Sequence, residues 1–321
     1  MGYGQGGHLG ICFQQSFGTS FVDSLHYFPF ISETLTEKIE EIQAESISAR
    51  YEEPDSYKGM QSIEGDIVME VHPQLVGHML KAWSGQASQE GYQGSCYEHR
   101  FLPVQTEFTP EKVALPPLTI ELYRDTGSAY QYYDCVVNGL NFEISQGALY
   151  KMTASLIGAN FEWKAKSSPS YEVGSFFTWD LTSVQFSNTA VSGVSAMNIA
   201  LNNNLAGKGY LDGTRRFSRI LRDGFRTIEV GGTVLLEGDT EVRNFLAGTQ
   251  QPVNIAITDP TTIMSGHNQL VFDIPQMRYV EYPANIGGVG LIEVAFSGKG
   301  KYDSTSSYAV QMTLQNTRAV Y

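Results

Sequence analysis

The sequence predicts a mainly β protein made of two tandem sandwich or barrel modules, each with one short flanking α-helix. Three observations predict it. Alternating apolar and polar runs recur along the chain, few stretches show helical spacing, and the order strand, short helix, strand, hairpin occurs twice. The composition agrees. Of 321 residues 32 are Gly, 12% are aromatic and only 17% are charged, against roughly 25% charged in an average globular domain. The chain is too apolar to be disordered and too poor in Lys and Glu for a coiled coil. Acids outnumber bases 34 to 21, a net charge of −13. That excludes a surface that grips nucleic acid all round.

Strand signals come first. GDIVMEV (65–71) puts Ile67, Met69 and Val71 on one face, and LTIELY (118–123) alternates Leu118, Ile120 and Leu122 with polar neighbours. YYDCVV, Asn138-Gly139 and LNFEI read as a hairpin, because Asn-Gly supplies the two positive φ values of a type I′ turn. KMTASLIGANFEW, TWDLTSVQFS, VSAMNIAL, RTIEVGGTVLLEG, VNIAIT, QLVFDI, LIEVAFSG and YAVQMTLQ continue the pattern, with Asp212-Gly213 and Asp223-Gly224 as turns. Helix signals are few. PQLVGHMLKAW (73–83) carries an apolar stripe of Leu75, Val76, Met79, Leu80 and Trp83 between Pro73 and Gly85. DTEVRNFLAG (239–248) has Asp239 as N-cap, a stripe of Val242, Phe245 and Leu246, and Gly248 as its stop. SETLTEKIEEIQAE (32–45) reads as a third helix or as part of an irregular arm.

The repeat is internal. Gly65-Asp-Ile-Val-Met-Glu aligns with Gly232-Thr-Val-Leu-Leu-Glu at an offset of 167, and a short helix follows each. Leu118-Thr-Ile-Glu-Leu aligns with Val253-Asn-Ile-Ala-Ile at an offset of 135. The fall in offset places an insertion in the first copy, over 86–117. The expected organisation is an arm over 1–45, a first module over 46–170 and a second over 171–321. Two similar modules in one chain can take neighbouring places in a ring, so three chains would close a pseudo-sixfold ring through head-to-tail contacts. Sheets paired edge to edge between modules would then leave no exposed edges.

Chemistry-bearing patterns are sparse. Cys12, Cys96 and Cys135 are odd in number and lack CxxC spacing, so they form neither a disulfide framework nor a zinc site. The six histidines are scattered, and no HExxH, GxSxG or Walker loop occurs. No catalytic, cofactor or metal residues are expected, and no enzyme. The opening MGYGQGGHLGICFQQSFG has no basic start and no apolar run, so no secretory signal is expected. No run reaches 18 apolar residues, so no membrane-spanning helix is expected.

The N-terminal third resembles the major tail tube protein of long-tailed bacteriophages. The resemblance rests on the Gly-rich start with Phe17-Gly18-Thr19, then Tyr27-Phe28-Pro29-Phe30, then Ser32-Glu33-Thr34-Leu35. A strand from Gly65 to Glu70-Val71-His72-Pro73 leads into the short helix, and Tyr97, His99, Phe101 and Pro103 lie in the insertion. The resemblance implies a β-sandwich or barrel with a flanking helix, whose rings stack into a hollow tube. It implies a lumen, lined by an inner sheet, through which DNA leaves the virion. It also implies a virion location after synthesis in the host cytoplasm, and partners that are copies of itself plus tail tip, tape-measure and tail terminator proteins. Single-module members form hexameric rings; a duplicated one would form trimers. A receptor- or carbohydrate-binding virion sandwich and a jelly-roll capsid protein are the competing readings.

The charge then has two readings, a lumen that does not hold DNA and plain solubility. One segment departs from the acidic trend. TRRFSRILRDGFR (214–226) holds Arg215, Arg216, Arg219, Arg222 and Arg226. At the offset of 167, Arg219 falls on Glu52 and Arg222 on Asp55. Two expectations follow: this basic loop meets the acidic loop of Glu52, Glu53 and Asp55 between subunits or rings, or it is a solvated charged loop.

Overall fold

The computed structural model describes residues 2–20, 24–47, 50–93, 96–108, 112–263, 266–286 and 288–321. Parts of the expected arm (1, 21–23) and insertion (94–95, 109–111) therefore lie outside the described residues. The first half contains β1 (His8–Phe13), β2 (His26–Phe28), β3 (Ser32–Glu33), β4 (Thr36–Gln43), β5 (Ser56–Glu70), α1 (Val76–Ser84), β6 (Ser88–Gln93), β7 (Cys96–Phe101), β8 (Leu118–Tyr123), β9 (Ala129–Ser145), β10 (Lys151–Gly158) and β11 (Asn160–Lys164). The second half contains β12 (Thr182–Phe186), β13 (Thr189–Ala190), β14 (Val194–Asn202), β15 (Leu205–Lys208), β16 (Arg219–Arg222), β17 (Thr227–Leu235), α2 (Thr240–Ala247), β18 (Gln250–Ile263), β19 (Gly266–Glu281), β20 (Glu293–Gly300) and β21 (Gln311–Asn316). The protein is mainly β, as its alternating runs require.

One pairing scheme occurs twice, all antiparallel. In the first half β5 pairs with β10, β10 with β9, β9 with β8, and β8 with β1. In the second half β17, β20, β19, β18 and β12 hold the same places. β11 lies on the opening half of β9, and β21 on the opening half of β19. β4 flanks β5 as β14 flanks β17, and each helix follows the strand so flanked. Residues 8–43, expected as an arm outside the first module, instead supply four strands to this scheme.

Two ladders join the halves. β9 continues past β8, and Gly139–Ser145 pair with Ala196–Asn202 of β14. β7, from the insertion, pairs with β21 through Tyr97–Phe101 and Met312–Asn316. The first ladder places Leu140, Phe142 and Ile144 beside Met197, Ile199 and Leu201, all buried, in one core cluster that runs through both halves. Each such side chain contributes about 1.5–3 kcal/mol by leaving water. Phe142 meets Phe272 edge-on across the halves, with ring centroids 4.9 Å apart.

α1 is buried on nearly every side and ends at Gly85, whose φ of 89° is the left-handed stop the sequence suggested. The C-terminal Tyr321 lies on Gly77 of this helix, where a Cβ would come within 2.3 Å of its ring. α2 lacks such a cover and has no buried residue. Its expected N-cap does not form: the Asp239 carboxylate pairs with Arg243, 2.5 Å away, instead of with a backbone N–H.

Two further segments fold differently from their local sequence pattern. Asn138-Gly139 is not a turn, because both residues lie inside the continuous β9. Val137 faces Leu156 and Gly139 faces Ser155, so Asn138 is an extra residue, a bulge. Its carbonyl accepts the Asn203 N–H and its Oδ1 the Leu205 N–H, each at 2.8 Å. Partners 65 and 67 residues away in sequence override the local turn preference. Residues 32–45 form no helix. They form β3 and β4 along the edge of β5, because that edge offers a ladder to a segment too short to hold a helix alone.

Gly65 lets β5 pass under this edge. A Cβ there would lie 2.5 Å from the Thr34 carbonyl oxygen and 2.7 Å from the Leu35 Cα. Gly65→Ala should therefore lower the unfolding free energy by about 1–3 kcal/mol, measured by chemical denaturation. Gly213→Ala, where no atom lies within 4 Å of the added Cβ, tests positive φ without the clash and should cost less.

Candidate functional site

The strands β4, β5, β10, β9, β14, β17, β20 and β19 follow one another as neighbours in one sheet. One face packs on the core. The other is open over most of its extent, and register fixes which side chains it carries. Small residues dominate: Ser155, Asn141, Gly139, Ala200, Asn198, Gly231, Thr233, Ala295 and Ser297. Its acids include Glu64, Asp66, Glu70, Glu143, Glu229, Glu281 and Glu293; its bases include Lys38, Lys151, Arg278 and Lys299. Lys38 pairs with Glu64, and Lys299 lies 3.2 Å from Glu229. Lys151 sits in register between Glu70 and Glu143. Two of these four cations, Lys38 and Lys299, thus pair with carboxylates, and a third lies between two of them.

One end of the same face is covered by β15 and β16, which form a separate two-stranded sheet. Ile220 of β16 and Leu205 of β15 pack with Val136 and with Val113–Leu115 of the insertion. Ala114 donates to the Ile220 carbonyl at 3.0 Å, and the Ile220 N–H to the Lys112 carbonyl at 2.8 Å.

This arrangement divides the five arginines. Arg222 and Arg226 belong to the interior of the chain. Both donate to Oδ1 of Asn203, at 2.9 and 2.8 Å. Asn203 is fully buried and its Nδ2 donates to the Trp83 carbonyl at 3.0 Å. Arg226 also donates to the Val104 carbonyl at 3.0 Å, and its guanidinium lies over the Trp83 ring. Burial, then the adjacent Arg222, hold the Arg226 pKa down to about 10. The carboxylate beside Arg222 is Glu107 of the insertion, 3.8 Å away. Arg215, Arg216 and Arg219 instead line a surface cleft with Lys112, Tyr210 and Phe17. Within it Arg216 donates to Asn160, and Arg219 lies over the Tyr210 ring at 5.2 Å.

Glu52, Glu53 and Asp55 are exposed on the connection between β4 and β5. Among the described residues no ion pair joins them to the arginines within one chain. Asn203, Val104 and Glu107 were not singled out by sequence reasoning. The run Asn202-Asn203-Asn204 at a strand end was the available sign, since consecutive amides there need partners. The three cysteines are buried, and none of them forms a disulfide. Burial pushes the Cys135 thiol well up, so it is held as an inert neutral group. Among the described residues, no group of three or more His, Cys, Asp and Glu is placed to hold a metal ion, and no helix is long and apolar enough to cross a membrane.

A sheet that runs through both halves and leaves one face open, with no metal-holding group among the described residues, defines a class, the β-rich structural proteins. The family comparison is specific. The model of the phage tail tube protein family matches residues 4–300, and the chain belongs to that family. It is a structural subunit of a phage tail tube, a virion component that assembles with copies of itself. No curated protein matches the chain.

Replacing Asn203 with Leu would leave two guanidinium groups without their shared acceptor. Hydrogen bonds to charged groups contribute about 1.5–3 kcal/mol each. Asn203→Leu should lower the unfolding free energy by about 3 kcal/mol, read by denaturant titration, whereas Arg215→Gln should leave it within about 0.5 kcal/mol.

Proposed function

We propose that this chain is a fused pair of tube modules, that three copies close a pseudo-sixfold ring, and that rings stack into a hollow conduit for DNA delivery. The observation that carries this reading is the ladder between β9 and β14, where one module's sheet continues into the next. If each module stands in a ring as the second stands to the first, the eight-stranded sheet is one third of a closed barrel. Its open face then lines the lumen. A lining of small polar side chains with more acids than bases offers phosphates few counterion-releasing contacts, so the polyanion slides rather than binds. The role is mechanical and not enzymatic. Tail tip, tape-measure and tail terminator proteins would meet the ends and the interior of such a tube, which is built from chains made in the host cytoplasm. The cleft of Arg215, Arg216 and Arg219 is the surface on which the Glu52, Glu53 and Asp55 loop of another copy would dock, while Arg222 and Arg226 brace the cleft from inside.

Negative-stain microscopy of the purified protein tests the ring. Hollow tubes with threefold end views are expected; discrete trimers or closed shells would overturn it. The lumen assignment has its own test. Tubes carrying Glu143→Lys and Glu293→Lys should retain DNA at low salt and release it as salt rises, whereas unmodified tubes should retain none. For the cleft, Arg215→Glu with Arg219→Glu should impair tube formation while leaving monomer stability unchanged, and normal tubes would rule that contact out.

A further inference from the structure

We infer that the edge formed by β3 and β4 of one copy pairs with the chain that follows β19 in a second copy. This rests on the tube reading above and names the contact that closes the ring. Inside the chain, β9 outruns β8, and its last seven residues take β14 as an outer neighbour. By the repeated pairing scheme, β19 is the counterpart of β9, and β3–β4 is the counterpart of β14. Neither counterpart has its partner. Among the described residues, β3 and β4 pair only with β5, and their outer edge is unpaired. The Thr34 N–H donates to Asp66 of β5 at 2.9 Å, so alternation turns the Leu35 and Glu37 N–H groups outward. The Glu33 carboxylate takes that of Leu35, leaving the Glu37 N–H facing the open edge.

On the other side, β19 stops early. β20 pairs with β19 only over Ser297–Gly300, whereas β10 pairs with β9 out to Lys151. The flank of Glu293–Phe296 that corresponds to β9 therefore holds no strand. The chain that would fill it, 282–286, is anchored by the buried Tyr282, which meets the Tyr279 and Phe296 rings, but forms no ladder, and it joins a connection with Ile286, Val289 and Leu291 exposed. Three large apolar side chains uncovered within six residues mark a surface that awaits a partner. A second copy's β3–β4 edge would hold 282–286 down on β20 and satisfy its own outward groups. Pro283 gives no donor to this ladder, so its weight falls on Tyr279–Glu281 and Ala284–Ile286.

Two variants test it in the full chain. Glu37→Pro removes an outward donor from the edge. It should leave the monomer folded, with an unchanged circular dichroism spectrum, and abolish tubes. Thr36→Cys combined with Asn285→Cys should, on oxidation of assembled tubes, give disulfide-linked species that end at three copies; the native thiols are buried and serve as the control. Tubes from Glu37→Pro at the unmodified yield, or assembled tubes in which the introduced pair stays unlinked, overturn the inference and leave the tube reading standing. Absence of tubes from the unmodified protein would instead remove the tube reading itself.

Discussion

The fold depends on one constraint, that a strand edge must be satisfied. An unpaired row of backbone N–H and C=O groups is either solvated or matched, and β9 matches its row with β14. That ladder orders the rest. It sets Leu140, Phe142 and Ile144 against Met197, Ile199 and Leu201, which makes the two halves share one core. It also sets the direction of every outward side chain on eight strands, because a slip of one residue would bury the polar row and expose the apolar one.

The two halves differ in what surrounds this common frame. The first carries the insertion, whose strand β7 pairs with β21 of the second half, and whose residues Val104 and Glu107 meet the half-buried Arg226 and Arg222. The C-terminal Tyr321 returns from the second half onto α1 of the first, with Lys81 donating to its carbonyl at 2.5 Å. α2 receives neither cover. The charged groups follow the same division. Arg222 and Arg226 turn onto Asn203, and Arg215, Arg216 and Arg219 line a cleft, while the open sheet keeps Arg278 and three lysines among acids and short polar side chains.

Much of the frame was legible in the chain. The alternating runs located the strands, Gly85 and Gly248 marked both helix ends, and the strand–helix order occurring twice pointed to the two schemes. The failures have a common cause. Asn138-Gly139 has the chemistry of a turn, but its donors and acceptors are matched by Asn203 and Leu205. Residues 32–45 have helical spacing, but a neighbouring edge offered a ladder. Five arginines were visible as charge, yet a sequence does not show which guanidinium finds a buried amide. In each case distant hydrogen bonds decided what local pattern left open.

The connection from β11 to β12 spans residues 165–181. It joins two surfaces that would otherwise have to meet by diffusion. A tether of that length turns their association into an intramolecular event at an effective concentration on the order of millimolar. The β9–β14 contact therefore forms whatever the protein concentration, and only contacts between chains respond to it. A protein of this design can fold completely while dilute and still make its assembly a matter of supply.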